Sequence, residues 1–165
     1  ACNIFLEKML HLDFAPAHSL IANNIFNRGA NNALAASSDA SLQPANDSIG
    51  IAGGIDSSGM LAMVDSLVVN NEGYNGGGLA NHEAAMVLTN TTVANNRSVG
   101  PSDSRGGGIS NSGDLTLTNS LITKNNALVS GGGLFNTSDG TVHSNQTAIV
   151  KNTPQNCVGV SFACP

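Results

Sequence analysis

Charge is scarce in this chain. Lys and Arg together number 6 in 165 residues, Asp and Glu number 11, and the formal net charge is −5. Nothing in that distribution forms the basic stripe that neutralises phosphates or the polybasic cluster that holds an anionic bilayer, so no nucleic-acid partner is expected. Apolar runs are only a few residues long, far short of a spanning helix, and no membrane span is expected. The residues from Ala1 lack the basic start and apolar run of an export signal, so an exported protein is expected here in processed form. One domain is expected at this length.

Cysteine is equally sparse, limited to Cys2, Cys157 and Cys164. None stands in the CxxC spacing of a zinc or redox site, and the short separation of the tail pair predicts a local Cys157–Cys164 disulfide. Cys2 is then free, bonded to another chain, or paired with a tail cysteine instead. Few lysines among abundant Asn, Ser, Thr and Gly suit a secreted or cell-surface protein.

In place of charge the chain has repetition. GGIDSSGMLAMVDSLVVNN from Gly53, GGLANHEAAMVLTNTTVANN from Gly77, GGISNSGDLTLTNSLITKNN from Gly107 and GGLFNTSDGTVHSNQTAIVKN from Gly132 align at spacings of 24, 30 and 25 residues. A degenerate earlier copy, FAPAHSLIANN, begins at Phe14, and an irregular excursion follows it near 25–52. The long spacing holds RSVGPSDSR, residues 97–105, whose Gly, Pro, Ser and Asp predict an inserted surface loop.

Three columns of the repeat are apolar in every copy: Ile55, Leu79, Ile109 and Leu134; Phe14, Leu61, Met86, Leu115 and Val142; Ile21, Val68, Val93, Ile122 and Ile149. Around them the period is two, as in Leu115-Thr116-Leu117-Thr118, which is strand alternation and not helical spacing. A unit of three such short strands cannot bury its apolar side alone, whereas stacked copies share a continuous core. Asn24, Asn71, Asn96, Asn125 and Asn152 occupy one corner of every copy. Asn tolerates a left-handed corner, and stacked amides can bond along such a column, so an asparagine ladder is expected rather than a ligand site.

With these columns the sequence resembles right-handed parallel β-helix proteins of the pectin-lyase-like architecture, in particular bacterial surface and secreted proteins with GG[IL] and SxIxxN elements, akin to chlamydial polymorphic membrane proteins. The resemblance covers about residues 14–157 and is carried by Gly53-Gly54-Ile55, Gly107-Gly108-Ile109, Ser66 to Asn71 and Ser120 to Asn125. It implies an all-β solenoid of about five or six coils, here with residues 1–13 as an N-terminal cap or assembly arm and 158–165 as a tail. It leaves function open, since the same scaffold carries polysaccharide lyases, hydrolases, adhesins and passive stalks.

The residues argue against an enzyme and against any cofactor. Asp65 is matched in later copies by Asn90, Asn119 and Gln146, so no wall of carboxylates forms for a hard cation. The best acid/base cluster is Asp103 near Arg105 with His82 and Glu83 one copy earlier, and a solvated loop explains it as well. His11, Asp13 and His18 have metal-ligand types, but alternation leaves His11 and Asp13 outward and His18 falls in the Asp65 column, so a surface role is expected. Sequons are about as frequent as composition alone produces; Asn46 and Asn96, in expected loops, are the positions for any glycan.

One pattern exceeds what a scaffold needs. The outward neighbours of the Ile21 column are Leu20, Leu67, Thr92, Leu121 and Ala148 on one side and Ala22, Val69, Ala94, Thr123 and Val150 on the other. A solvated strand face is polar, so this one is expected to be covered, by the chain itself or by a partner. Ile4, Phe5, Leu6, Met9 and Leu10 make the N-terminal segment strongly apolar, suited to reaching a neighbour, while Leu20, Leu67, Val69, Leu121 and Val150 offer a receiving surface. The expectation is therefore a noncatalytic extracellular structural protein that joins copies of itself head to tail into a fibre or surface layer. A carbohydrate-binding or polysaccharide-degrading protein, with glycans as partners, and an adhesin fragment are the alternatives.

Overall fold

The structure, a computed structural model, describes residues 20–22, 52–100, 104–159 and 164. Alternation of small, β-branched and aliphatic residues over three to five positions, broken by Gly and Asn, produces short strands. Each strand pairs with its counterpart one repeat away, and every pairing among the described strands is parallel. The result is an all-β solenoid of about 4 turns. The expectation is five or six; the excursion near 25–52 lies, but for Ala52, outside the described residues.

Four sheets run the length of the solenoid. The first face holds β1 (Leu20–Ala22), β4 (Leu67–Val69), β8 (Thr92–Ala94), β12 (Leu121–Thr123) and β16 (Ala148–Val150), adjacent in that order. The second holds β2 (Ile55–Ser57), β6 (Leu79–Asn81), β10 (Ile109–Asn111), β14 (Leu134–Asn136) and β17 (Cys157–Gly159). The third holds β3 (Leu61–Val64), β7 (Ala85–Thr89), β11 (Asp114–Thr118) and β15 (Thr141–Asn145). A fourth, narrow sheet of two-residue strands, β5 (Glu72–Gly73), β9 (Arg97–Ser98) and β13 (Asn126–Ala127), adds to the three strands per unit expected from the columns. The expected insert at 97–105 thus opens as a strand, and Ser104 near its end is fully buried.

The register puts like on like. Leu79, Ile109 and Leu134 pair in one column, Met86 and Leu115 in another, and Val68, Val93, Ile122 and Ile149 in a third, all at zero exposure. Their side chains form a single core along the axis. Glycine is required where coils touch backbone to backbone: a Cβ at Gly107 would lie 2.4 Å from the Asn126 carbonyl group. Gly106 beside it has φ +62°, open to glycine at no steric cost.

Corners turn through the left-handed region at two further columns, Asp65, Asn90, Asn119 and Gln146, then Asn70, Asn95, Lys124 and Lys151. This corrects the corner assignment made from sequence: the second column immediately precedes the ladder asparagines, and Asn71, Asn96, Asn125 and Asn152 themselves do not have positive φ.

Candidate functional site

Buried polar ladders form the frame on which any site is mounted. Asn96 Oδ1 accepts from both the backbone N–H and the amide of Asn71, each at 3.0 Å, and Asn125 and Asn152 repeat the arrangement toward the C-terminus. The last donor, Asn152, turns to Asn156 Oδ1 at 3.0 Å. Two further ladders escaped the sequence reading. Asn81 and Asn111 each donate an amide N–H to the Oδ1 of the next, Asn111 and Asn136, at 2.7 Å, and the backbone N–H groups of Thr91 and Ser120 donate to the hydroxyls of Ser120 and Thr147 at 3.2 and 3.1 Å. Their signals in the sequence are the N of GGLAN, GGISN and GGLFN, and the S or T two places before each first-face inward residue.

Asn24 and Asn46 lie outside the described residues, as do Ile4, Phe5, Leu6, Met9, Leu10, Cys2, His11, Asp13, His18 and Asp103. Asn96 was also expected to lie in a loop open to a glycan; that is corrected here. It is 1% exposed, and its amide nitrogen donates to Val68 O and Asn125 Oδ1, so a glycan on that nitrogen would break the ladder. Cys157 and Cys164 are disulfide-bonded with Cα atoms 5.8 Å apart. Of the outward first-face residues, Leu20 is 59% exposed, Leu67 38%, Leu121 36% and Val150 38%, while Val69 is half-buried.

On the second face the middle positions of successive strands are Asp56, Ala80, Ser110, Phe135 and Val158, of which Ala80 is fully buried. A depression of about 200 Å³ opens beside Ser110, and its lining includes His82, Arg105, Ser110, Ser112, Phe135 and Thr137. His82 follows β6, its backbone N–H tied to Ser57 O at 2.8 Å, and its Nε2 stands 2.8 Å from Asp56 Oδ1. Hydrogen bonding to Asp56 raises the imidazole pKa above its ordinary value against the opposing cost of burial, and the charges of Asp56 and Glu83 add to the rise. Arg105 is anchored by its own backbone, N–H to Asn75 Oδ1 at 3.0 Å, and its guanidinium carbon lies 4.8 Å from the centre of the Phe135 ring.

The structure therefore brings His82 and Arg105 to one depression, with Glu83 exposed on the adjoining turn. Asp56 and Phe135, one copy to either side, were missed because only the coil register shows that they share this face. No group of three or more His, Cys, Asp or Glu side chains is placed to hold a metal ion among the described residues.

Stacked parallel strands, coil-to-coil amide ladders and a shared axial core define the class: a parallel β-solenoid protein. Comparisons with protein-family models, curated proteins and solved structures return no match, so nothing beyond that class is assigned by similarity.

Proposed function

We propose that this chain is a noncatalytic extracellular structural protein that associates with further copies of itself. The observation that carries this reading is the outward first face, where Leu20, Leu67 and Leu121 of one outward column, with Thr92 between the latter two, and Val150 of the other remain open to solvent. With strands about 4.8 Å apart, the positions of that column follow the period of the fold. A second copy presents the same apolar face with the same strand spacing, which makes a self-complementary contact the simplest partner for it. Low charge leaves little repulsion against that contact. The Cys157–Cys164 disulfide supports an oxidising, exported location, and the GG[IL] and SxIxxN elements support kinship with bacterial surface β-helix proteins.

Geometry favours this sideways contact over the end-on fibre. On β15 the inward position held by Met63, Leu88 and Leu117 in the preceding coils is Ser144, and it is exposed. A polar last coil disfavours continuation of the core into another molecule. The end-on reading retains one argument, that no described strand pairs with the outer edge of β15 or β16.

Light scattering over a concentration series tests both readings. The full chain is expected to associate, and Leu67→Lys combined with Leu121→Lys, both outward, to disperse it without loss of β-sheet signal. A full chain that stays monomeric at high concentration refutes self-association. Dispersal by deletion of residues 1–9 but not by the lysine pair returns the contact to the N-terminal arm.

A further inference from the structure

Asn75 and Gly76 form the one Asn-Gly pair in the chain. In such a pair the glycine backbone nitrogen can attack the asparagine side-chain amide, because no Cβ shields it. The new bond joins Gly76 N to Asn75 Cγ as the bond from Cγ to the amide nitrogen breaks. Ammonia leaves, taking up through solvent the proton that the glycine nitrogen gave. Water then opens the succinimide ring at either carbonyl, which yields aspartate or isoaspartate.

The turn itself imposes this pair. Successive copies bend at equivalent glycines, Gly76, Gly106 and Gly131, with φ of +73°, +62° and +61°. A Cβ at Gly76 would lie 2.2 Å from the Leu79 carbonyl oxygen, so no other residue fits there. The residues before these glycines are Asn75, Arg105 and Ser130, and of the three only Asn75 carries an amide.

The backbone of Arg105 holds both reacting groups. Its N–H donates to Asn75 Oδ1 and its carbonyl accepts from the Gly76 N–H, each at 3.0 Å. Attack requires the Gly76 nitrogen to leave that carbonyl and the Asn75 side chain to swing over it, so both bonds must break. Ser104, fully buried beside Arg105, donates its hydroxyl to Ser98 Oγ at 2.9 Å and accepts from the Leu128 N–H at 3.2 Å, which ties the clasp to β9 and to the following coil.

We propose that Asn75 is a succinimide-forming modification site that the fold holds closed, converting only when the coils that carry Gly76 and Arg105 part. The product is permanent. Isoaspartate adds a methylene to the backbone just before Gly76, and the N–H groups of Gly76, Gly77 and Gly78, bonded to Arg105 O, Gly106 O and Gly108 O, then lose their common register. A molecule that has once opened here carries a chemical record of it and closes again with weaker contacts.

Peptide mapping of the full chain after incubation in mildly alkaline buffer, separating the asparagine, aspartate and isoaspartate forms of the Asn75 peptide, tests the proposal. In unfolding urea Asn75 is expected to convert, and the Asn75→Gln variant, whose longer side chain closes a larger ring poorly, to stay intact. In the folded chain conversion is expected to be at least about tenfold slower. Across sub-denaturing urea its rate is expected to rise in step with hydrogen exchange of the Gly76 amide, since both need the bond to Arg105 O broken. Asn81→Ala removes an amide bond of 2.7 Å between the same two coils, and is expected to speed conversion in the folded chain while leaving the rate in unfolding urea unchanged. Should that variant fail to fold, the urea series on the unaltered chain decides alone. The proposal is overturned if the folded chain converts as fast as the unfolded one, if conversion is independent of Gly76 exchange, or if Asn75 stays intact in unfolding urea.

Discussion

Asn125 shows how much one residue carries in this fold. Its Oδ1 receives the backbone N–H and the amide of Asn96, its amide donates to Val93 O and Asn152 Oδ1, and its own N–H goes to Asn152 Oδ1. Removing the side chain leaves donors and acceptors on three coils without partners, each costing about 1–3 kcal/mol when buried. Asn125→Ala is thus expected to lower unfolding free energy by at least about 3 kcal/mol, measured by urea denaturation. Its neighbour Lys124 has φ 55°, a conformation in which Asn is more at ease than Lys. Lys124→Asn is expected to be neutral or to stabilise by about 0.5 kcal/mol. Equal losses for the two variants would show that the ladder contributes no more than the corner.

At the scale of the strand, phase decides everything. Ile122 on β12 is fully buried between Val93 and Ile149, whereas Thr116 on β11 faces outward between Val87 and His143. Ile122→Asp buries an unpaired charge and is expected to cost several kcal/mol, at least about 4, or to prevent folding; Thr116→Asp is expected to cost less than about 1 kcal/mol. Similar denaturation midpoints for both would mean that the strand phase is wrong.

The same phase explains which parts of the fold are legible in the amino-acid sequence. Parallel stacking sets each residue beside its own equivalent, so the inward columns stand in the sequence as aligned aliphatic letters. Glu72–Gly73, Arg97–Ser98 and Asn126–Ala127 form strands just as real, but two residues carry no alternation and their backbone pairing leaves no letter pattern. His82 and Arg105 are recognisable from sequence as a polar group near one loop. Asp56 and Phe135 are not, because a contact across coils depends on how repeats of 24 and 30 residues come into register. The corner conformation falls one residue away from its expected place for a related reason: Asn suits both a left-handed turn and an amide ladder, and composition does not say which Asn of a pair does which.

Over the whole molecule, stability is a sum of coils and of the contacts between neighbours, and folding need not be equally firm throughout. Cys157–Cys164 closes a segment only 7 residues apart at the last strand of the second face. Reducing it is expected to raise amide hydrogen exchange in β17 while β10 to β12 keep their protection. Loss of protection along the full length would show instead that the solenoid unfolds as one unit.

The ladders also bear on how such a chain changes size. Each interior ladder asparagine accepts from the coil before it and donates to the coil after it, across 25, 29 and 27 residues in the three successive links. Every interior coil therefore presents the same face that it receives. An in-frame duplication or loss of one such segment is expected to rejoin ladder donor to ladder acceptor and apolar column to apolar column. Molecular length in this architecture is countable, advancing by about 4.8 Å per segment, and recombination within the gene can adjust it while the ladder and the core columns keep their partners.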